Sequence, residues 1–280
     1  MARKVHHQGT ATWFTQRNDF SDWKSTGSLM WIHGLRSCMI FMSFATLIFS
    51  SIVSWIWEKC PLVCVTTSNL CSGALTNFIS STIIEDVETM CRMGLATLSF
   101  FYFDFRDAGK QDARSLLSSL LIQFCQQSDK FSEMITSLYS TNGNGTRQPS
   151  EDALMECLKG MLKLPEQGDL YVVVDALDEC SNSSGYPTPR EQVLKIIQEL
   201  VGLCLSHVHF CITSRPEVDI RDALEALAVH NVSLHEQAGQ NQDISDYIES
   251  VVSSDLNMRR WREEDRQLVT TTLMKRARGM

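Results

Sequence analysis

The run Tyr171-Val172-Val173-Val174-Asp175-Ala176-Leu177-Asp178-Glu179 constrains this chain more than any other part of it. An apolar, β-branched run bounded by polar residues reads as a strand covered on both faces, at home in the middle of a parallel sheet. It discharges into three acids at its carboxyl end. In open α/β sheets ligands sit just beyond those ends. Acids there call for a compensating cation, and the usual one is Mg²⁺ carrying nucleotide phosphates.

The remainder of the chain supplies neighbours for such a strand. Strands are expected at 29–33, 97–104, 170–175, 207–213 and 230–234, with Ala96 to Phe105 reading as another run covered on both faces. Between them the spacing predicts helices over 111–127, 130–139, 151–163 and 189–204, with a shorter helical stretch from Asp222 to Leu227. Leu116, Leu117, Leu120, Leu121 and Phe124 recur at helical spacing, and Ser150 stands as an N-cap before two acids. A flanking helix is expected over 10–27 and two more over 242–253 and 262–277. Strands alternating with helices of this length define an α/β class with a mostly parallel sheet and helices on both faces.

Net charge is −8, which argues against a nucleic-acid footprint. The ten cysteines are scattered and read as reduced thiols. Cys60, Cys64 and Cys71 lie close together, but no second ligand pair follows at zinc-site spacing. The N-terminus has no apolar run behind its basic residues, so no signal peptide is expected and the expected location is cytoplasmic.

One segment departs from this pattern. Between Ser37 and Ile84 the only charged residues are Glu58 and Lys59, whereas the overall 21 % charged content would place about ten there. Cys38 to Trp57 carry no charge over about 20 residues, enough to span a bilayer. Three readings compete: a transmembrane helix, a buried core helix, or sequence foreign to the protein. A membrane span would part the first strand from the rest of its sheet. The Ser/Thr and β-branched content makes a poor helix. The third reading fits best. Thr76-Asn77-Phe78-Ile79-Ser80 can be encoded as ACTAAC, a pyrimidine-rich stretch and CAG, the form of an intron branch point and 3′ splice site.

Six blocks in order carry a family resemblance: Gly9-Thr10 with Trp13-Phe14; Leu29 to Gly34; Ser80 to Asp86; Phe101 to Phe105; Val172 to Glu179; and Thr213-Ser214-Arg215-Pro216-Glu217. Together they resemble the NACHT-type P-loop NTPase domain of fungal NOD-like receptors, the nephrocystin 3-like N-terminal domain, over residues 6 to about 278. The resemblance implies a three-layer fold with five core strands in the order 5-1-4-3-2 and C-terminal helices. It divides the chain into a flank at 1–27, the NTPase domain at 28–240 interrupted at about 35–80, and the start of a helical extension at 241–280.

The resemblance also implies a site. Asp175 matches the Walker B acid that holds Mg²⁺. Asp178 and Glu179 match the acids of which one orients or deprotonates the attacking water. Arg215 matches a sensor whose guanidinium detects the γ-phosphate. Asp104 is expected to cap a turn, and His33 to pack. The family's first strand runs through its glycine into a loop with Gly-Lys-Ser/Thr, whose N–H groups cradle phosphates. Here Gly34 runs into Leu35-Arg36-Ser37-Cys38. Counting back from Ser80 places Gly73 in the loop, Thr76 where the lysine belongs and Asn77 where the hydroxyl belongs. Neither stretch contains the motif. Intron retention would leave the loop in a flanking exon, so a shifted splice boundary, a frameshift or degeneration is also needed.

The resemblance further implies a signalling switch that takes ATP or GTP with Mg²⁺ and is impaired in nucleotide binding as the sequence stands. Its partners would be other proteins, met through effector and repeat regions, and further copies of itself. Nucleic acid is not expected, nor is a membrane unless residues 38–57 form an anchor. The alternative is a non-enzymatic scaffold or remnant; a single-pass membrane protein is a third reading.

Overall fold

The computed structural model describes residues 12–34, 78–144, 146–164, 168–183, 185–234 and 261–278, together with Glu249 and Val252. Residues 38–57, the cysteines at 60, 64 and 71, Gly73 and Thr76 lie outside them, as does most of the helix expected over 242–253. The chain divides into two compact units. One comprises Thr15–His33 and Ile83–Val232 and holds nearly all of the sheet. In the other, Met1–Phe14, Gly34–Thr82 and Ser233–Met280, the described part is chiefly a C-terminal helix, Glu263–Arg278.

The elements in order are α1 (Thr12–Thr15), α2 (Asn18–Ser25), β1 (Leu29–His33), α3 (Phe78–Arg92), β2 (Ala96–Tyr102), α4 (Ala113–Cys125), α5 (Asp129–Thr141) and α6 (Glu151–Leu162). Then come β3 (Asp169–Asp175), α7 (Pro189–Val201), β4 (Val208–Ser214), α8 (Val218–Leu224), β5 (His230–Ser233) and α9 (Glu263–Arg278). The expected single helix over 10–27 is two short ones, broken between Thr15 and Asn18. The helix expected at 222–227 begins earlier, at Val218, and the one expected at 189–204 stops at Val201, ahead of Gly202. Ser150 caps α6 as expected, accepting from the Ala153 N–H at 3.2 Å.

The five strands form one sheet in the order β2-β3-β4-β1-β5. β2 with β3, β3 with β4 and β1 with β4 pair in parallel. Two of the three inner strands, β3 and β4, are buried nearly throughout, and for β3 this is why it reads as a continuous apolar run. Side chains alternate between two cores. Leu170, Val172, Val174, Phe210 and Ile212 face α4, α6 and α7, contributing to a cluster with Leu117, Leu121, Leu158 and Ile197. On the other side Trp23 of α2 meets Tyr171 edge-on at 5.4 Å and His209 at 5.9 Å. The Trp23 indole N–H reaches the carbonyls of both Ser28 and Phe210, tying α2 to the sheet. His209 stacks on Tyr171, and burial pulls its pKa down. The neutral ring donates from Nδ1 to the Trp23 carbonyl at 2.9 Å.

β2 corrects one expectation. It is an outer strand, and Phe100 and Tyr102 are only half covered. Its outer backbone groups would invite another strand. Two glutamines four residues apart, Gln123 in the last turn of α4 and Gln127 just past its end, occupy them instead. Gln123 accepts from the Phe100 N–H and donates to its carbonyl, and Gln127 does the same for Leu98, all at 2.6–3.0 Å. Side-chain amides thus complete the edge.

Candidate functional site

The carboxyl ends of β3 and β4 lie side by side. Asp175, the last residue of β3, is 1 % exposed. Its Oδ1 accepts from the Thr213 hydroxyl of β4, and that hydroxyl oxygen accepts from the Ala176 N–H at 3.0 Å. Ala176 turns the chain sharply, with φ 54° and ψ 45°. The left-handed region costs a non-glycine residue about 1–2 kcal/mol, and such strain gathers at functional sites. The turn delivers Leu177–Glu179 as a single 3₁₀ turn at the strand end.

Asp178 and Glu179 meet different surroundings there. The Asp178 side chain is 3 % exposed and is taken up by Arg215, the first residue beyond β4. Asp178 Oδ1 accepts from the Arg215 backbone N–H at 2.9 Å, and Oδ2 lies 3.2 Å from the guanidinium Nε. Glu179 is half buried, and its Oε2 accepts from the Phe105 N–H at 3.3 Å. Burial raises its pKa, with Asp178 and Asp104 pushing the same way, against the Phe105 N–H and Arg215.

A carboxyl whose folded pKa is raised holds its proton longer in the native state than in the unfolded chain. Stability therefore falls as pH climbs from the ordinary glutamate range through the raised value. Glu179→Gln keeps an oxygen for Phe105 but removes the ionisation. Its melting temperature is expected to gain on the parent's between pH 4 and pH 7, the two converging in acid. A difference that is flat, or of opposite slope, across that range would contradict this environment for Glu179.

A residue that the sequence patterns do not single out organises the site. Arg190, in the first turn of α7, is 5 % exposed. Its guanidinium donates to the carbonyls of Asp178 (Nη2, 2.6 Å) and Cys180 (Nε, 3.1 Å). Nη1 reaches Glu217 at 2.5 Å and Asp219 at 3.3 Å. Burial opposes its charge, but the two acids prevail and its pKa is raised. Glu217 and Asp219, the acids nearest Arg215 along the chain, are thus taken by Arg190, and Arg215 takes Asp178. One signal was present in the sequence. A cation in the first turn opposes the helix dipole, which points to a specific partner.

Gly34 directly follows β1 and is buried; Gly73 and Thr76 lie outside the described residues. Asp104 lies beyond the end of β2, not within the strand, and holds a turn, accepting from the Arg106 N–H at 3.0 Å and pairing with its guanidinium at 2.9 Å. His33 packs against Trp31 at 4.4 Å and bonds Asn231 at 2.6 Å. Among the described residues no group of three or more His, Cys, Asp and Glu could by itself hold a metal ion. No described helix is long and apolar enough to cross a membrane.

A five-stranded, mostly parallel sheet in this order gives the chain an α/β fold of P-loop NTPase-like form. Residues 52–215, more than half of the chain, match the family model "Nephrocystin 3, N-terminal", and the chain belongs to that family. The match starts inside the charge-poor segment and stops at Arg215. No curated protein matches the chain. Among solved structures, the Aeropyrum pernix ORC2 protein in its ADPNP-ADP complexes is similar at 12% identity and a TM-score of 0.41, covering 84% of this chain and 48% of that one. Drosophila ORC bound to DNA is similar at 11% identity and a TM-score of 0.44, covering 91% and 46%. The chain spans about half the length of each.

Proposed function

We propose that this chain is the Mg²⁺-nucleotide switch domain of a NOD-like-receptor type protein, with a phosphate loop too damaged to grip its nucleotide. The observation that carries the reading is the meeting of Asp175, Asp178, Glu179 and Arg215 at one end of β3 and β4. Mg²⁺ takes hard oxygen ligands, characteristically one or two carboxylates with phosphates and waters. Asp175, steadied by Thr213, is suited to that part. The ion would neutralise phosphate charge. Glu179, with its raised pKa, suits the water-orienting role better than Asp178, whose carboxylate is engaged by Arg215. Arg215 would report the γ-phosphate by exchanging Asp178 for it.

The sequence contains no Gly-Lys-Ser or Gly-Lys-Thr. Losing that lysine alone removes a charge-assisted contact worth about 1.5–3 kcal/mol, and the loop's N–H groups go with it. This favours a second reading, a scaffold that binds proteins without nucleotide. Cytoplasmic location, protein partners and self-association belong to the proposal on the same footing. The test is thermal unfolding with millimolar ATP or GTP and Mg²⁺. The chain as it stands is expected to show no gain, since stabilisation by mass action needs a formed site. A magnesium-dependent rise that Asp175→Ala abolishes would overturn the damaged-loop part.

A further inference from the structure

We infer that Arg190 is the positioning residue for the Asp178–Arg215 pair, holding the acid turn and the segment after β4 in one register. The inference rests on the reading of Asp178 and Arg215 as nucleotide-facing groups. Its geometry stands by itself.

The guanidinium bonds both sides of that pair. On the acid side it holds the carbonyls of Asp178 and Cys180, flanking the turn from within the backbone. The Asp178 carbonyl belongs to the same residue whose carboxylate receives the Arg215 N–H and faces its guanidinium. On the other side Glu217 and Asp219 lie two and four residues after Arg215, at the N-cap and in the first turn of α8. The contacts therefore close a ring: Arg190 to the Asp178 carbonyl, Asp178 to Arg215, along the chain to Glu217, and back to Arg190. A planar fork with five donors can serve four acceptors at fixed angles, whereas an ammonium cannot. Asn182 adds a second tether by donating to Asp219 at 3.3 Å, and itself accepts from the Thr188 hydroxyl at 3.1 Å. Thr188 is the N-cap of α7, where it forms a capping box with Glu191. The helix that carries Arg190 is thus fixed at its start.

Two consequences distinguish positioning from mere support of the core. Loosening Arg190 from the α8 side should release the Asp178–Arg215 contact, although neither residue is changed. The strands beneath should not respond. The full chain carrying Glu217→Gln with Asp219→Asn leaves Arg190 on its carbonyls and removes only the charges that aim it. By amide-proton exchange, the Arg215 N–H is expected to exchange about tenfold faster in that double variant, with Cys211 and Ile212 of β4 unchanged. Asp219→Asn alone should keep the protection, because Glu217 retains the shorter bond. Unchanged Arg215 exchange in the double variant overturns the proposal. So does equal acceleration along the whole of β4, which would leave Arg190 a packing residue only. The nucleotide reading is judged separately, by thermal shift, and its failure would leave the exchange result standing.

Discussion

Arg190→Ala is expected to lower unfolding stability by about 3 kcal/mol, near the low end of what removing one partner of a buried ion pair costs. Two carbonyls, of Asp178 and Cys180, lose their guanidinium donor inside the protein. A polar group stripped of its partner while buried costs about 1–3 kcal/mol. Glu217 and Asp219 are better placed, because their side chains are 39 % and 31 % exposed and can recover water. That partial exposure holds the estimate below the sum of the parts. At a domain of this size the loss corresponds to about 6–12 °C in melting temperature. Arg190→Lys should recover less than half of it, since one ammonium cannot reach four acceptors in three directions. Urea unfolding of the two variants beside the parent decides the matter. A loss under about 1 kcal/mol for the alanine variant, the scale of an exposed ion pair, would mean that these contacts are replaceable by water.

The second large effect concerns nucleotide. Replacing residues 35–79 with a short glycine-rich loop ending in Gly-Lys-Ser is expected to create Mg²⁺-dependent nucleotide binding and to improve solubility. The first strand is in its place beside β4, and α3 starts at Phe78, so Ser80 lies within a formed helix. The acids of β3 and Arg215 already stand together. The Gly-Lys-Ser/Thr motif, which carries such a loop and its lysine, does not occur in the sequence. At a 100-fold excess of nucleotide over its dissociation constant the repaired chain should gain about 2.7 kcal/mol, and Asp175→Ala should abolish the gain. Removing a long charge-poor run also removes an apolar liability. A repaired chain that folds by circular dichroism but shows no shift with ATP or GTP would favour the scaffold reading.

Much of this architecture could be read from residue order. β3 is buried on both faces, and burial on both faces leaves an uninterrupted apolar run. α4 displays its leucines at helical spacing because one side of it lies on the sheet. Asp175, Asp178 and Glu179 could be singled out as candidates for the same reason: they stand directly behind such a strand. These features are local, in that each residue's neighbours along the chain reveal its surroundings.

Other features depend on which distant residues meet, and no local pattern encodes that. Phe100 and Tyr102 look like core but lie half open, because β2 falls at the sheet's edge and Gln123 and Gln127 complete it. Asp178 and Arg215 are 37 positions apart, and pair because β3 and β4 are adjacent and parallel. The four acceptors of Arg190 come together only when the fold places the Asp178 and Cys180 carbonyls on one side and Glu217 with Asp219 on the other. The sequence by itself placed the strands, most of the described helices and the acids at the strand end, since periodicity and burial follow from each segment's own composition. The tertiary structure alone decided which partners those acids meet, because a charge's environment comes from the groups that desolvate beside it, and those are chosen by the packing of the sheet.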